Sequence, residues 1–406
     1  MRALEKKVAR IIEQVRREGD RALVRFTRDY DRVRIREGAI RVTTEEIRAA
    51  LKETGAGFTR FVRRIGRNIA SYHRKQVSSA RFFKNIHGAQ VGWIYLPVEK
   101  VGVYLPAGTA PLVSTSLMTI VPAKVAGVRE IVVATPPGKN GRINPFLLAA
   151  CHEMGANCIV RIGGAQAIAA MAFGTRSVPK VDMIVGPGNR YVTEAKRQLY
   201  GKVGIDMTAG PSEVAIIADR TAHPSFIAAD LLAQAEHDPL STAVLLTPSV
   251  RLLQRVRREI QNQLQSLERK EILSKAMGRG LKLIKCRSLG DAVARVNLLA
   301  PEHLEIIVGD PGKILMGIRN AGAIFVGAYS PAALGDYVAG PSHVLPTGGT
   351  ARYFSVLSCD TFLKRVSVVR YGRSSFKKAS RPTERLAMLE GLGAHARSIR
   401  LRLEKK

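Results

Sequence analysis

Gln234 and His237, in Gln-Ala-Glu-His, lie three residues apart at the end of a helical stretch that begins near Pro224. That spacing puts a carbonyl oxygen and an imidazole nitrogen on one helix face, where both can reach one metal ion. Alone, it does not separate a ligand pair from an ordinary helix end. Glu302 and His303 are adjacent in Pro-Glu-His-Leu-Glu, just before the strand-like Ile306-Ile307-Val308. An imidazole titrates near neutrality and can take a proton from an alcohol, while a neighbouring carboxylate can orient it or a water. The pair would serve equally as a structural contact at a turn or sheet edge. Asp336, in Gly-Asp-Tyr, is a candidate hard oxygen ligand, and His343, in GPSHVLPTGG, is either a ligand or a loop brace. Glu390 and His395 are five apart with Gly391 and Gly393 between them, so they need not share a helical face. A Gln–His–Asp–His set has the nitrogen and oxygen donors that zinc accepts. Its use would be to orient and polarise a bound alcohol or carbonyl.

A second kind of chemistry is suggested by glycine-bearing turns at Tyr104-Leu105-Pro106-Ala107-Gly108, Gly163-Gly164-Ala165-Gln166 and Gly186-Pro187-Gly188-Asn189. Small residues where a strand passes into a helix let backbone N–H groups approach a phosphate or dinucleotide at the C-terminal edge of a parallel sheet. Neither GxGxxG nor GxxxxGK[ST] is present, and tight turns without ligand would look the same. Gln166 and Asn189 each place an amide at a helix start, suited to a ribose or a carboxamide.

The elements that must position these groups follow from periodicity. Leu4, Val8, Ile11, Ile12, Val15, Leu23 and Phe26 form helical stripes, with a break at Glu18-Gly19-Asp20 and Asp20 as a possible cap. A second helical region covers 44–72, with Thr44 as its candidate cap. From residue 91 the pattern changes to strand–helix alternation. Strands are predicted at 130–135, 158–161, 181–185, 214–217, 243–246 and 323–326. Helices are predicted at 114–126, 147–154, 166–173, 191–199, 224–236 and 251–267. Such alternation specifies an α/β fold with mostly parallel sheets covered by helices. No repeat is visible in the sequence, and the tail from 358 reads as two helical stretches interrupted by Gly391 and Gly393.

The chain has 406 residues, 46% hydrophobic and 24% charged, which excludes disordered and fibrous classes. Cys151, Cys158, Cys286 and Cys359 are too few and too irregularly spaced for a disulfide scaffold. No apolar run spans a bilayer, and MRALEKKVAR lacks a signal-peptide core, so a cytoplasmic location with no membrane partner is expected. The net charge of +31 is distributed as +13 over 1–90, +2 over 91–250, +7 over 251–357 and +9 over 358–406. The excess therefore avoids the glycine-rich middle. No nucleic-acid motif accompanies it, so no specific nucleic acid is expected, although non-specific contact with polyanions would follow from charge alone.

Longer motifs carry a specific resemblance. EGDRALVRFTRDYD, VGVYLPAGTAPLVSTSLM, RIGGAQAIAAMAFGT, VDMIVGPGNRYVTEAKR, IDMTAGPSEVAIIAD, DLLAQAEHDP, LAPEHLEI, GAIFVGAYSPAALGDYVAGPSHVLPTGGTAR and LEGLGAHARSIR occur in that order over nearly the whole chain. Together they resemble the histidinol dehydrogenase family. One departure is Ala107, where the family more often has Gly.

The resemblance implies two incomplete Rossmann-like domains with small N-terminal helical and C-terminal extensions, in an intertwined homodimer. Its boundaries would be 1–25 for the helical segment, 26–103 with 213–357 for the first domain, 104–212 for an inserted NAD-binding domain, and 358–406 for a tail reaching the partner subunit's active site. It implies one Zn2+ per site held by Gln234, His237, Asp336 and His395, and an acid–base pair of Glu302 and His303. NAD+ contacts would come from Tyr104, Gln166 and Asn189. Substrate contacts would come from Ser212, Glu390, the zinc ligands and the Glu302–His303 pair. The implied activity is oxidation of L-histidinol through L-histidinal to L-histidine, the last two steps of histidine biosynthesis. The alternative is a zinc- and NAD-dependent relative acting on another small hydroxylated compound.

Overall fold

The computed structural model describes residues 2–106 and 112–404. By chain order the elements begin with α1 (Arg2–Glu18), α2 (Asp20–Phe26) and α3 (Thr44–Arg74), followed by β1 (Arg81–Lys84) and β2 (Gln90–Pro97). The first α/β run comprises β3 (Lys100–Tyr104), α4 (Val113–Ala126), β4 (Glu130–Ala134), α5 (Pro145–Met154), β5 (Cys158–Val160), α6 (Gly164–Phe173), β6 (Met183–Val185), α7 (Arg190–Leu199) and β7 (Gly204–Ile205). The second opens with β8 (Glu213–Ala218), α8 (Pro224–Ala235), β9 (Thr242–Thr247), α9 (Val250–Leu264), α10 (Lys270–Gly280) and β10 (Leu281–Lys285). It continues with α11 (Leu289–Leu299), β11 (His303–Ile307), α12 (Pro311–Gly317), β12 (Ala323–Val326) and α13 (Ala332–Tyr337). The chain ends in β13 (Leu363–Arg370), α14 (Arg373–Leu389) and α15 (Gly393–Glu404).

Two compact units result: residues 1–76 with 98–362, and residues 77–97 with 363–406. The larger unit contains two five-stranded sheets, both wholly parallel, with strand orders β5-β4-β3-β6-β7 and β10-β9-β8-β11-β12. Each run lays its first strand in the middle, adds two strands on one side and then two on the other. That is the order of a doubly wound fold lacking its sixth strand. The repeat is one of topology that the amino-acid sequence does not display. Helices on both faces explain the nearly continuous apolar strands: Val101, Val103, Ile131–Ala134 and Val214–Ala218 are buried throughout.

The N-terminal helices pack on the helices that flank the first sheet. Val8, Ile11 and Val15 form the buried stripe of α1, which packs on α6 and α7. Gly19, at φ 56°, turns the chain into α2, but Asp20 is not the cap. It is buried, and its carboxylate accepts from Ser177 N and Oγ at 3.3 and 2.6 Å, a tertiary contact that outcompetes capping. The cap of α3 is Thr43 rather than Thr44: Thr43 Oγ1 accepts from Glu46 N, and Glu46 returns a carboxylate to Thr43 N. The helix α3 packs on α4 and α5, and the first sheet starts at Lys100.

In the smaller unit, β2 pairs antiparallel with β1 and with β13. Pro382 lies within α14. The tail break falls at Gly391, φ 72°, between α14 and α15. All four cysteines are free thiols. Among the described residues no helix is long and apolar enough to cross a membrane.

Candidate active site

Glu302 immediately precedes β11 and His303 is its first residue. The strand is interior, paired with β8 and β12, so the pair stands at the N-terminal end of a central strand and not on a sheet edge. Both side chains are buried. The start of β8 holds them: Glu213 N donates to Glu302 Oε2 at 2.8 Å, and His303 Nδ1 lies 3.0 Å from the Glu213 carbonyl. A carbonyl only accepts, so Nδ1 carries a hydrogen, and in the neutral ring Nε2 is the nitrogen that presents a lone pair. That Nε2 is buried with no hydrogen-bond partner, 3.7 Å from Asp336 Oδ1. Phe325 stacks on the ring at 6.0 Å, and Glu302 Oε2 is 3.5 Å from Nδ1.

Burial pulls the His303 imidazolium down, but Glu302 and Asp336 outweigh it and push the group up to about 10. A cation bound at Asp336 would withdraw part of that push and favour the neutral ring, the form that accepts a proton. Burial also opposes ionisation of Asp336. Its histidine neighbours His303, His343 and His237 outweigh that and hold the carboxyl below its ordinary range. The field of His237 thus reaches Asp336. His237 lies just beyond the end of α8, its N–H 3.4 Å from the Gln234 carbonyl, and Gln234 is buried one turn earlier. The helix α13, which carries Asp336, packs on both α8 and β11.

His343 is a brace. Its Nδ1 donates to the Asp336 carbonyl at 2.8 Å and its Nε2 meets Thr115 Oγ1 at 3.2 Å, so both nitrogens are engaged. Ser212 precedes β8, its carbonyl accepting from Thr242 N at 3.0 Å. Gln234, His237 and Asp336 offer the oxygen and nitrogen donors that suit zinc. Among the described residues, however, no group of three or more His, Cys, Asp or Glu is gathered as a metal cluster. Glu390, the C-cap of α14, and His395, in the first turn of α15, are exposed residues of the smaller unit.

The glycine turns gather at the C-terminal ends of β3, β5 and β6 in the first sheet. Tyr104 ends β3, is buried, and its Oη accepts from Gly164 N at 3.0 Å. Burial pushes its phenol up to about 12, so it stays a neutral hydroxyl. Gln166 is buried in the first turn of α6, beside Gly164 at φ 65°. After β6, Gly186 has φ 107°, and a Cβ there would sit 2.2 Å from the Tyr104 carbonyl, so only glycine closes this approach. Asn189 caps α7, its Oδ1 accepting from Tyr191 N and Val192 N, which leaves its amide N–H groups to donate outward. Ala107 and Gly108 lie outside the described residues.

Three acids that the sequence reading did not single out support the dyad. Glu213 fixes both of its members through backbone groups. Asp230 on α8 and Glu305 on β11 are neighbouring acids, and burial drives both above the ordinary carboxylate range. The available signal was an acidic residue inside an otherwise apolar helix or strand, Ile-Ala-Ala-Asp-Leu-Leu and His-Leu-Glu-Ile-Ile.

Comparison with known proteins adds the family. The family model described as histidinol dehydrogenase matches residues 1–403. The chain belongs to the histidinol dehydrogenase family. It is 49% identical to the histidinol dehydrogenase of Moorella thermoacetica over 398 residues, covering 98% of this chain and 94% of that protein. It is 48% identical to the histidinol dehydrogenase of a Synechococcus species, covering 98% and 92%. The crystal structure of histidinol dehydrogenase from Elizabethkingia anophelis superposes with a TM-score of 0.94 at 38% identity, covering 99% and 92%. Family membership makes this an oxidoreductase family member with the fold of that enzyme.

Proposed function

We propose that the protein is a zinc-dependent, NAD-linked dehydrogenase that oxidises L-histidinol through L-histidinal to L-histidine, in the last two steps of histidine biosynthesis. The observation that carries the chemistry is His303: a buried imidazole whose Nδ1–H is tied to a carbonyl and whose unpartnered Nε2 faces Asp336. A base so placed can take the hydroxyl proton of an alcohol held at Asp336.

Gln234, His237 and Asp336 would hold the zinc, with His395 of the second subunit in an intertwined homodimer. Bound there, zinc would orient and polarise the substrate's amino alcohol. NAD+, bound by Tyr104, Gln166 and Asn189, would accept the hydride. His303 removes the hydroxyl proton as the hydride departs. Glu302, held by Glu213 N, takes a proton from the water that adds to the aldehyde. His303 accepts a second proton during the second oxidation. Ser212 and Glu390 would bind the remaining polar groups of the substrate. Holding the carbinol against its acceptor contributes several kcal/mol, on the order of the effective-molarity gain of a positioned reaction.

The test is stoichiometry: NADH formed per histidinol consumed by the zinc-loaded protein, expected to approach two. One NADH with accumulating aldehyde would overturn the two-step reading. Equal turnover of unrelated small alcohols would favour a relative with a different substrate.

A further inference from the structure

The acid pair Asp230–Glu305 touches neither His303 nor Asp336 in any hydrogen bond, yet it joins all three elements of the site. Asp230 stands one turn before Gln234 on α8. Glu305 is two residues beyond His303 on β11, hence on the same face of the strand. Its Oε1 accepts from Ala332 N at 2.7 Å, the first N–H of α13, which carries Asp336. Glu305 is 1% exposed, and its Oε2 finds a partner only if one carboxyl of the pair carries a proton for the other to accept. A fully buried acid beside a half-buried one is costly unless the contact fixes a geometry that nothing else supplies. The helix α13 spans only Ala332–Tyr337 and has no side-chain cap from its own sequence, so Glu305 serves as that cap from a neighbouring strand.

We infer that Glu305, paired with Asp230, is a positioning residue that sets Asp336 and Gln234 at ligand distance from a common metal ion. The inference rests on the zinc reading above. Side chains that orient metal ligands in this way alter metal affinity by roughly 10–100-fold when removed.

Glu305→Gln keeps both bonds, since its amide oxygen can accept from Ala332 N and its NH2 can donate to Asp230. Glu305→Leu removes both. Ala332→Pro removes the donor and sets a ring methylene against Glu305 Oε1 in its place, at a first helical position where the backbone tolerates proline, and Pro331 already has the extended ψ of 151° that a following proline requires. Zinc affinity would be measured by competition with a chromogenic chelator, alongside KM for histidinol and for NAD+. The expected result is a 10–100-fold loss of zinc affinity and a raised histidinol KM in Glu305→Leu and Ala332→Pro. Glu305→Gln should stay within about threefold of wild type, with the NAD+ KM unchanged in all three. Wild-type zinc affinity in a folded Glu305→Leu, or a Glu305→Gln as impaired as the leucine variant, overturns the inference. If Glu305→Leu does not fold, wild-type zinc affinity in Ala332→Pro overturns it. A wild-type protein that binds no zinc overturns the proposed function and this inference together.

Discussion

Lys196 anchors the turn proposed to meet NAD+, and its removal should destabilise the protein and weaken cofactor binding together. Its side chain is 2% exposed, its Nζ donates to the Gly186 carbonyl at 2.9 Å, and it forms an ion pair with Asp206, itself 1% exposed. Asp206 also accepts from Gly186 N at 2.7 Å and Met207 N at 2.6 Å. The pair thus grips both ends of the Gly186 peptide at the root of the Gly186–Asn189 turn. Lys196→Met would leave a buried carboxylate with two N–H donors but no counter-charge. Breaking a buried pair from one side costs about 3–5 kcal/mol, roughly a 150- to 4000-fold change in the folded-to-unfolded ratio. At roughly 1–2 °C per kcal/mol for a chain of this length, the melting temperature should fall by about 3–10 °C. Lys196→Met with Asp206→Asn removes both charges, and should recover roughly 2 kcal/mol or more of that loss. The assay is a double-mutant cycle by thermal or urea unfolding, with NAD+ KM measured on each variant. An unchanged melting temperature in Lys196→Met, or a double variant as unstable as the single, would refute the reasoning.

His303→Asn should lower kcat by roughly 10²–10⁴ with little change in melting temperature, because the proton acceptor is lost while an amide can still donate to Glu213 O; a loss under tenfold would contradict a base at this position. Glu302→Gln should slow NADH formation from histidinal more than from histidinol in single-turnover experiments, and equal losses would remove it from water activation. Heterodimers of inactive His303 and His395 variants should regain part of the activity if each site draws on both subunits, since one of the two sites then holds both intact residues; complete inactivity of the mixed dimer would count against shared sites.

The residues themselves announced much of this arrangement. The alternation of apolar runs with helical stripes specifies the parallel α/β architecture, because strands buried on both faces must be continuously apolar and their helices one-sided. The glycine turns were legible as tight strand-to-helix junctions, but the reason Gly186 must be glycine, a positive φ and the approach of the Tyr104 carbonyl, is visible only in the fold. The chemistry of Glu302-His303 was legible as residue types, and the family through motifs in order along the chain. Caps were less so: Thr43 and Asp20 each show a neighbour or a tertiary partner deciding between near-equivalent side chains.

Packing alone decided the rest. Only the fold shows that Glu213, ninety residues before His303, keeps a hydrogen on Nδ1 of the imidazole through its carbonyl. It also settles His343 as a brace by occupying both nitrogens. The same holds for the Asp230–Glu305 contact, which sequence periodicity registers merely as two acids in apolar surroundings. Periodicity encodes which face of an element turns inward. It does not encode which atoms of another element will be waiting there, because that depends on strand order and on where each helix ends, and these are set by the packing of the whole chain.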